Sequence, residues 1–109
     1  MLAPVPLDSV MQALAVPTRR AMWERIVRSG ELSVVELTRG SGVTQGAISQ
    51  HLRALKQAGL VLDRPEGRHV HYRAEPAGLA PLVDWMAQYD LFWRERFAGL
   101  DALLKEIEP

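Results

Sequence analysis

The run Thr44-Gln45-Gly46-Ala47-Ile48-Ser49-Gln50-His51-Leu52, inside the longer stretch from Val34 to Ala58, decides the fold. Thr44 is a residue type that caps helix starts. Ile48, Leu52 and Leu55 then recur at helical spacing and predict one buried stripe on a helix from Gln45 to about Ala58. Gly59 supplies a left-handed stop. Upstream, Ser33 with Glu36 three residues later forms a capping box for a short helix, with Val34 and Leu37 facing inward. Gly40, Ser41 and Gly42 separate the two helices. The unit is therefore helix, glycine-rich turn, helix.

Working outward toward the N-terminus, Pro17 suits a first helical position, where a missing N–H costs nothing. Met22, Trp23, Ile26 and Val27 make an apolar stripe behind it, and Gly30 ends that helix. Before it, Leu7, Val10, Met11 and Leu14 predict a helix over residues 7–15, with Asp8 near its start. Toward the C-terminus the period changes. Leu60, Val61 and Leu62 read as a short strand, residues 63–68 as a charged turn with Pro65 and Gly67, and His69 to Arg73 as a second strand. A two-stranded hairpin is weak in water and must lean on the helices. From about Ala80 to Ile107 one further helix is expected. Leu82, Met86, Tyr89, Trp93, Leu100, Leu103 and Ile107 recur in it with heptad-like spacing. Trp85, Phe92, Phe97 and Leu104 broaden the stripe, and Gly99 is a candidate for a bend or a close packing point.

These elements predict a mainly α chain with a small β-hairpin, in the order α-α-α-α-β-β-α: a winged helix-turn-helix dimerising through its terminal helices. A single domain over residues 1–109 is expected. Its core is expected to cover about 17–75, with the helices at about 7–15 and 79–107 expected to form a seam between two copies. The length of 109 residues fits one modest core. The 48% hydrophobic content argues against disorder, and the absence of cysteine excludes disulfides and thiolate metal sites. No stretch approaches the roughly 18 apolar residues of a membrane span. Met1 to Asp8 lacks the basic segment and apolar run of a signal peptide. A cytoplasmic location and no membrane partner are expected.

The formal net charge of zero conceals an asymmetry. Residues 1–73 carry ten Lys/Arg against six Asp/Glu, a net of +4, while residues 74–109 carry three against seven, a net of −4. The first part suits a polyanion and the second would be repelled by one. In the longer helix, Gln45, Ala47, Ser49 and Gln50 are short or amide-bearing and point away from the core stripe. Such residues can enter a major groove and pair with base edges. Gln can meet adenine at two points and an Ala methyl can meet a thymine methyl, a good two-point contact discriminating by roughly 1–3 kcal/mol. Thr44 at the helix start suits a phosphate, and His51, Arg53 and Lys56 are candidates for the DNA backbone. Arg64, Arg68, His69 and Arg73 surround the hairpin turn and are candidates for phosphate or minor-groove contact. His71 is read as a surface residue, and charge on a free strand edge also guards against aggregation.

Beyond these physical arguments, the sequence resembles the ArsR/SmtB-like repressors. Ala13-Leu14-Ala15-Val16-Pro17-Thr18-Arg19-Arg20 is similar to their "ALADPTR" opening. The stretch from Gly42 through His51-Leu52-Arg53-Ala54-Leu55-Lys56-Gln57-Ala58-Gly59-Leu60-Val61 resembles their recognition-helix signature, and Gly67-Arg68-His69-Val70-His71-Tyr72 resembles their wing. The resemblance covers residues 7 to 74. It implies a homodimer that represses transcription by occupying pseudo-palindromic operator DNA.

The same family places two metal-binding thiolates in a Leu-Cys-Val-Cys-Asp-Leu box. The matching residues here are Leu32-Ser33-Val34-Val35-Glu36-Leu37, so both thiolates are missing. Serine is a poor ligand for soft metals and valine is none. Of a second family site on the last helix, Asp84 remains, with Met86, Phe97 and Leu100 in place of its other ligands. One carboxylate without imidazoles does not hold a transition metal. Neither a metal nor another cofactor is expected.

The aromatic face of the last helix is read as a dimer seam, packed on the partner's N-terminal helix. Leu7, Val10, Met11, Leu82, Met86, Tyr89, Trp93, Phe97 and Leu100 are the expected interface residues. A pocket for an organic effector on that face is the other reading. A winged helix that binds proteins instead of DNA is the alternative function. Catalysis is not expected, because Ser49 and His51 lie on diverging faces of one helix and cannot form a nucleophile–base pair.

Overall fold

The computed structural model describes residues 6–107. Residues 1–5 and 108–109, and the side chains of Asp101 and Ile107, lie outside the described set. The signal-peptide expectation falls mostly on the first of these stretches. The chain folds as α1 (Leu7–Ala15), α2 (Pro17–Ser29), β1 (Glu31–Ser33), α3 (Val34–Thr38), α4 (Gln45–Gln57), β2 (Val61–Glu66), β3 (His69–Ala74), a 3-10 turn (Pro76–Leu79), α5 (Ala80–Ala87) and α6 (Asp90–Ile107).

Local chemistry sets most of these boundaries. Pro17 is the first residue of α2, and Gly30, at φ 84°, closes it. Helix α3 has only five residues and survives because both ends are tied. The Glu36 N–H donates to Ser33 Oγ at 3.1 Å and the Ser33 N–H donates to Glu36 Oε1 at 3.0 Å. At the other end, Arg25 from α2 donates to the carbonyls of Glu36 and Leu37 at 3.0 and 3.3 Å. Helix α4 is capped by Thr44, whose Oγ1 accepts from the Ala47 N–H at 3.2 Å. It ends in a Schellman turn: the Leu60 N–H donates to the Leu55 carbonyl at 2.9 Å and the Gly59 N–H to the Lys56 carbonyl at 3.0 Å. Gly59 takes the required left-handed conformation at φ 77°.

The buried side chains gather under this helix-turn-helix. Ile48, Leu52 and Leu55 of α4 meet Ile26, Leu37, Leu60, Val61 and Val10, all essentially inaccessible to solvent. The Trp23 indole N–H donates to the Leu60 carbonyl at 3.0 Å and ties α2 to the end of α4. A second fixed point lies nearby. The 3-10 turn crosses so close to the Schellman turn that a β-carbon on Gly78 would fall on the Gly59 carbonyl. The C-terminal segment thus starts from a packed joint at the end of α4.

The sheet differs from the expected two-stranded hairpin. It has three antiparallel strands in the order β1-β3-β2, with Leu32 opposite Tyr72 and Asp63 opposite Tyr72 on the other side. Pairing also runs through the stretch expected as a charged turn, so β2 reaches Glu66 and the turn is only Gly67-Arg68. Pro65 is tolerated because β2 is an edge strand whose outer side makes no ladder. Gly67 at φ 61° followed by a residue of negative φ is the pattern of a type II′ turn, whose twist matches the strands.

The single long C-terminal helix is also corrected. It is broken at Gln88–Tyr89 into α5 and α6, while Gly99 lies inside an uninterrupted α6. The break has no Gly or Pro. The last turn of α5 tightens, with the Gln88 N–H donating to the Trp85 carbonyl and the Tyr89 N–H to the Met86 carbonyl. Trp85 packs edge-on to Tyr89 at 5.5 Å between ring centres. Helix α5 lies against α1, and Leu79 and Leu82 rest on the core. Beyond that, no described side chain of α5 or α6 is buried.

Candidate nucleic-acid interface

Helix α4 presents three faces. Ile48, Leu52 and Leu55 face the core. Gly46, Gln50, Arg53 and Gln57 form an exposed stripe on the opposite side. Gln45 and Ser49 flank that stripe on the side of the wing. The II′ turn of the wing carries Arg68 and His69 to the same place. Gln45, Ser49, Arg68 and His69 together line one recess of about 210 Å³, floored by Val34, Val35 and Val70. Residues about 20 positions apart in sequence thus share one surface. Val70 gave no signal in the sequence, because the recess is assembled from three elements and no local pattern reports it.

Several expected contact residues are differently disposed. Lys56 Nζ sits 2.9 Å from Asp63 Oδ2 and braces α4 against β2. That ammonium and its hydrogen bond hold the Asp63 carboxyl below its usual range. Arg64 lies between Glu31 of β1, at 2.6 Å, and Glu66 at 2.9 Å. His71, opposite Arg64 in the ladder, adds its ring 3.5 Å from Glu66. The Glu31 contact fastens the root of the wing to β1, and Glu66 adds a second carboxylate from the same strand as Arg64, so Arg64 is a brace and not a free cation. His51 turns away from the stripe toward α2. Burial first, then the nearby Arg19 guanidinium, push its imidazole pKa down. His51 Nδ1 and Arg19 Nε are both covered and have no hydrogen-bond partner among the described residues. Ala47 is half-buried on that same flank, whereas Thr44, Gln50, Arg53, Arg68, His69 and Arg73 are exposed.

The expected interface residues divide similarly. Met11, Met86, Tyr89, Phe97 and Leu100 are exposed. Leu7, Leu82 and Trp93 are half-buried, with Trp93 stacked on Phe97 at 5.8 Å. Val10 is a correction: at 0% exposure it is spent in the protomer's own core and has no surface to offer a partner.

The metal box does not fit a metal. Ser33, at the first thiolate position, uses its hydroxyl to cap α3. Val35, at the second, carries no ligand atom. Among the described residues no group of three or more His, Asp or Glu side chains could hold a metal ion.

The model of the bacterial regulatory proteins of the arsR family matches residues 24–62, from the second half of α2 to the start of the wing. An HTH-type transcriptional regulator of Mycobacterium tuberculosis is 44% identical over 97 residues, spanning 89% of this chain and 87% of that protein. The chain belongs to the ArsR family. This ArsR-family chain is also 33% identical to the arsenical resistance operon repressor of Escherichia coli, over 97% of its own length and 86% of the repressor's. A homodimeric winged helix-turn-helix DNA-binding domain from Mycobacterium bovis superposes with a TM-score of 0.62 at 30% identity, covering 76% of this chain and 79% of that one. The protein is therefore a transcription regulator of winged helix-turn-helix fold, and its family is one of regulators and not of enzymes. No helix among the described residues is long and apolar enough to cross a membrane.

Proposed function

We propose that this regulator is a homodimeric repressor that holds pseudo-palindromic operator DNA with α4 in the major groove and the wing on the backbone or minor groove. The observation that carries this reading is the convergence of Gln45 and Ser49 with Arg68 and His69 around one recess, beside the exposed stripe of Gln50 and Arg53. Amide and hydroxyl groups on the helix can read base edges, and the two-residue turn projects an arginine toward phosphate or a narrow minor groove. Thr44 and Arg73 add backbone contacts at the edges of this face.

Residues 1–109 act as one domain, with a reading core at about 17–75. Helix α1 and the α5–α6 arm form the dimer seam, where Met11, Met86, Tyr89, Phe97 and Leu100 meet their counterparts. Two reading helices must reach successive major grooves about 34 Å apart, and a paired arm fixes that separation. An effector, if the protein has one, would act by shifting the pair. Such a regulator works beside the chromosome, in the cytoplasm.

Fluorescence anisotropy tests the reading. The purified protein is titrated into duplex DNA from its own upstream intergenic region and into a scrambled duplex, at two salt concentrations. Binding of the native duplex in the range of about 10⁻⁸–10⁻¹¹ M, much tighter than the scrambled one and weaker as salt rises, is expected. No binding of either duplex at low salt overturns it.

A further inference from the structure

The glycines of this chain have internal reasons at six of their eight positions. Gly30, Gly40, Gly42, Gly59 and Gly67 have positive φ, and Gly78 is packed on the Gly59 carbonyl. Gly46 has neither reason. It lies in the first turn of α4 with φ in the ordinary helical range, and an added β-carbon would meet nothing within 4 Å. Glycine is the poorest helix former after proline, so on internal grounds alone alanine would serve better at this position.

Its placement supplies an external reason. Gly46 heads the exposed stripe that continues through Gln50 and Arg53, diametrically away from Ile48, Leu52 and Leu55. We infer that duplex DNA passes within van der Waals contact of the Gly46 Cα, and that the missing side chain lets the first turn of α4 seat at its full depth. Gly46 is then a positioning residue: it sets how close Gln45, Ser49 and Gln50 come to the bases. The other helical glycine without an internal neighbour, Gly99, lies on α6, which is proposed to meet a second protomer. Both unexplained glycines thus fall on surfaces that a partner is expected to cover.

This inference rests on the DNA-binding reading above and is tested beside it. Gly46→Ala and Gly46→Leu are compared with the natural protein by thermal melting and by anisotropy on the native and scrambled duplexes. The alanine variant is expected to melt no lower, and up to a few degrees higher, while binding the native duplex at least fivefold more weakly. The leucine variant should lose more. A loss confined to the native duplex assigns the contact to a base edge, and a loss on both duplexes assigns it to the sugar-phosphate. Either supports close approach. A smaller loss with alanine overturns the inference while leaving the DNA-binding reading intact, as does an alanine variant that melts several degrees lower. Failure of the natural protein to bind either duplex removes both.

Discussion

The C-terminal arm is richer in apolar residues than the reading core, yet it is the core that buries them and the arm that leaves them exposed. Between Val10 and Val61 the large apolar side chains close over one another, and eight of them are fully buried. In α5, α6 and the break between them, Val83, Met86, Tyr89, Leu91, Phe92, Phe97, Leu100, Leu103 and Leu104 remain exposed, Leu91 by 70%. The Cα radius of gyration is 17.8 Å, against about 13 Å for a compact chain of this length. The core satisfies itself, whereas the arm carries apolar surface that a single protomer does not cover. Exposed apolar surface on this scale marks an interaction face. This contrast supports the proposed seam over a free-standing monomer. The apolar recess of Trp85, Tyr89, Phe92 and Trp93 at the α5–α6 elbow belongs to the same face.

Breaking the arm should have the largest effect. Phe92→Glu combined with Leu100→Glu places charges on the proposed seam and leaves the core untouched. Sedimentation velocity should show a monomer, and operator affinity should fall by about 10²–10⁴ as two linked half-sites become one. A variant that stays dimeric would move the seam elsewhere. Next, Leu52→Ala and Leu91→Ala measure the contrast directly in urea unfolding of the monomeric double variant. The first opens a cavity in the core and should cost about 2–5 kcal/mol. The second removes an exposed side chain and should stay within about 0.5 kcal/mol. Equal costs would mean that the arm is covered within the protomer.

The smallest effect is a pH dependence at the flank of α4. Unfolded, the His51 imidazole takes up a proton near its ordinary pKa of 6.5, whereas burial and Arg19 depress that value in the folded chain. The unfolded chain then binds more protons, so acid favours it. The contribution is complete above pH 6.5 and is lost as pH falls through the depressed folded value. The urea midpoint of the natural protein should therefore drop more steeply below pH 6.5 than that of His51→Gln. Parallel profiles would show that His51 titrates normally.

The features legible in the sequence are those with short-range causes. Pro17, Gly30, the Ser33–Glu36 capping box, Thr44 and Gly59 each act within four residues of themselves, and each marks a helix end as expected. Strand β1 escaped because three residues carry no periodic signal. They become a strand only by pairing Leu32 with Tyr72, forty positions away. The break at Gln88–Tyr89 escaped because apolar spacing continues across it and no breaker residue marks it. In the candidate interface the composition of α4 and the wing was readable. Which cations stay free was not, since Lys56 of α4 is claimed by Asp63 of β2, and Arg64 by Glu31 of β1 as well as by its strand neighbour Glu66.

The sequence by itself determined the helix-turn-helix, its caps, the wing's glycine turn and the lack of metal-binding thiolates, because these depend on residue type and local spacing. Only the tertiary structure decided that Val10 is core and not seam, that the sheet has a third strand, that Arg64 braces the wing root while Arg68 stays exposed at its tip, and that Gly78 locks the start of the arm onto the end of α4. Each of these depends on which distant segments pack together, and pairing over distance is set by the sum of core burial and strand registry, a quantity that no single stretch of residues carries.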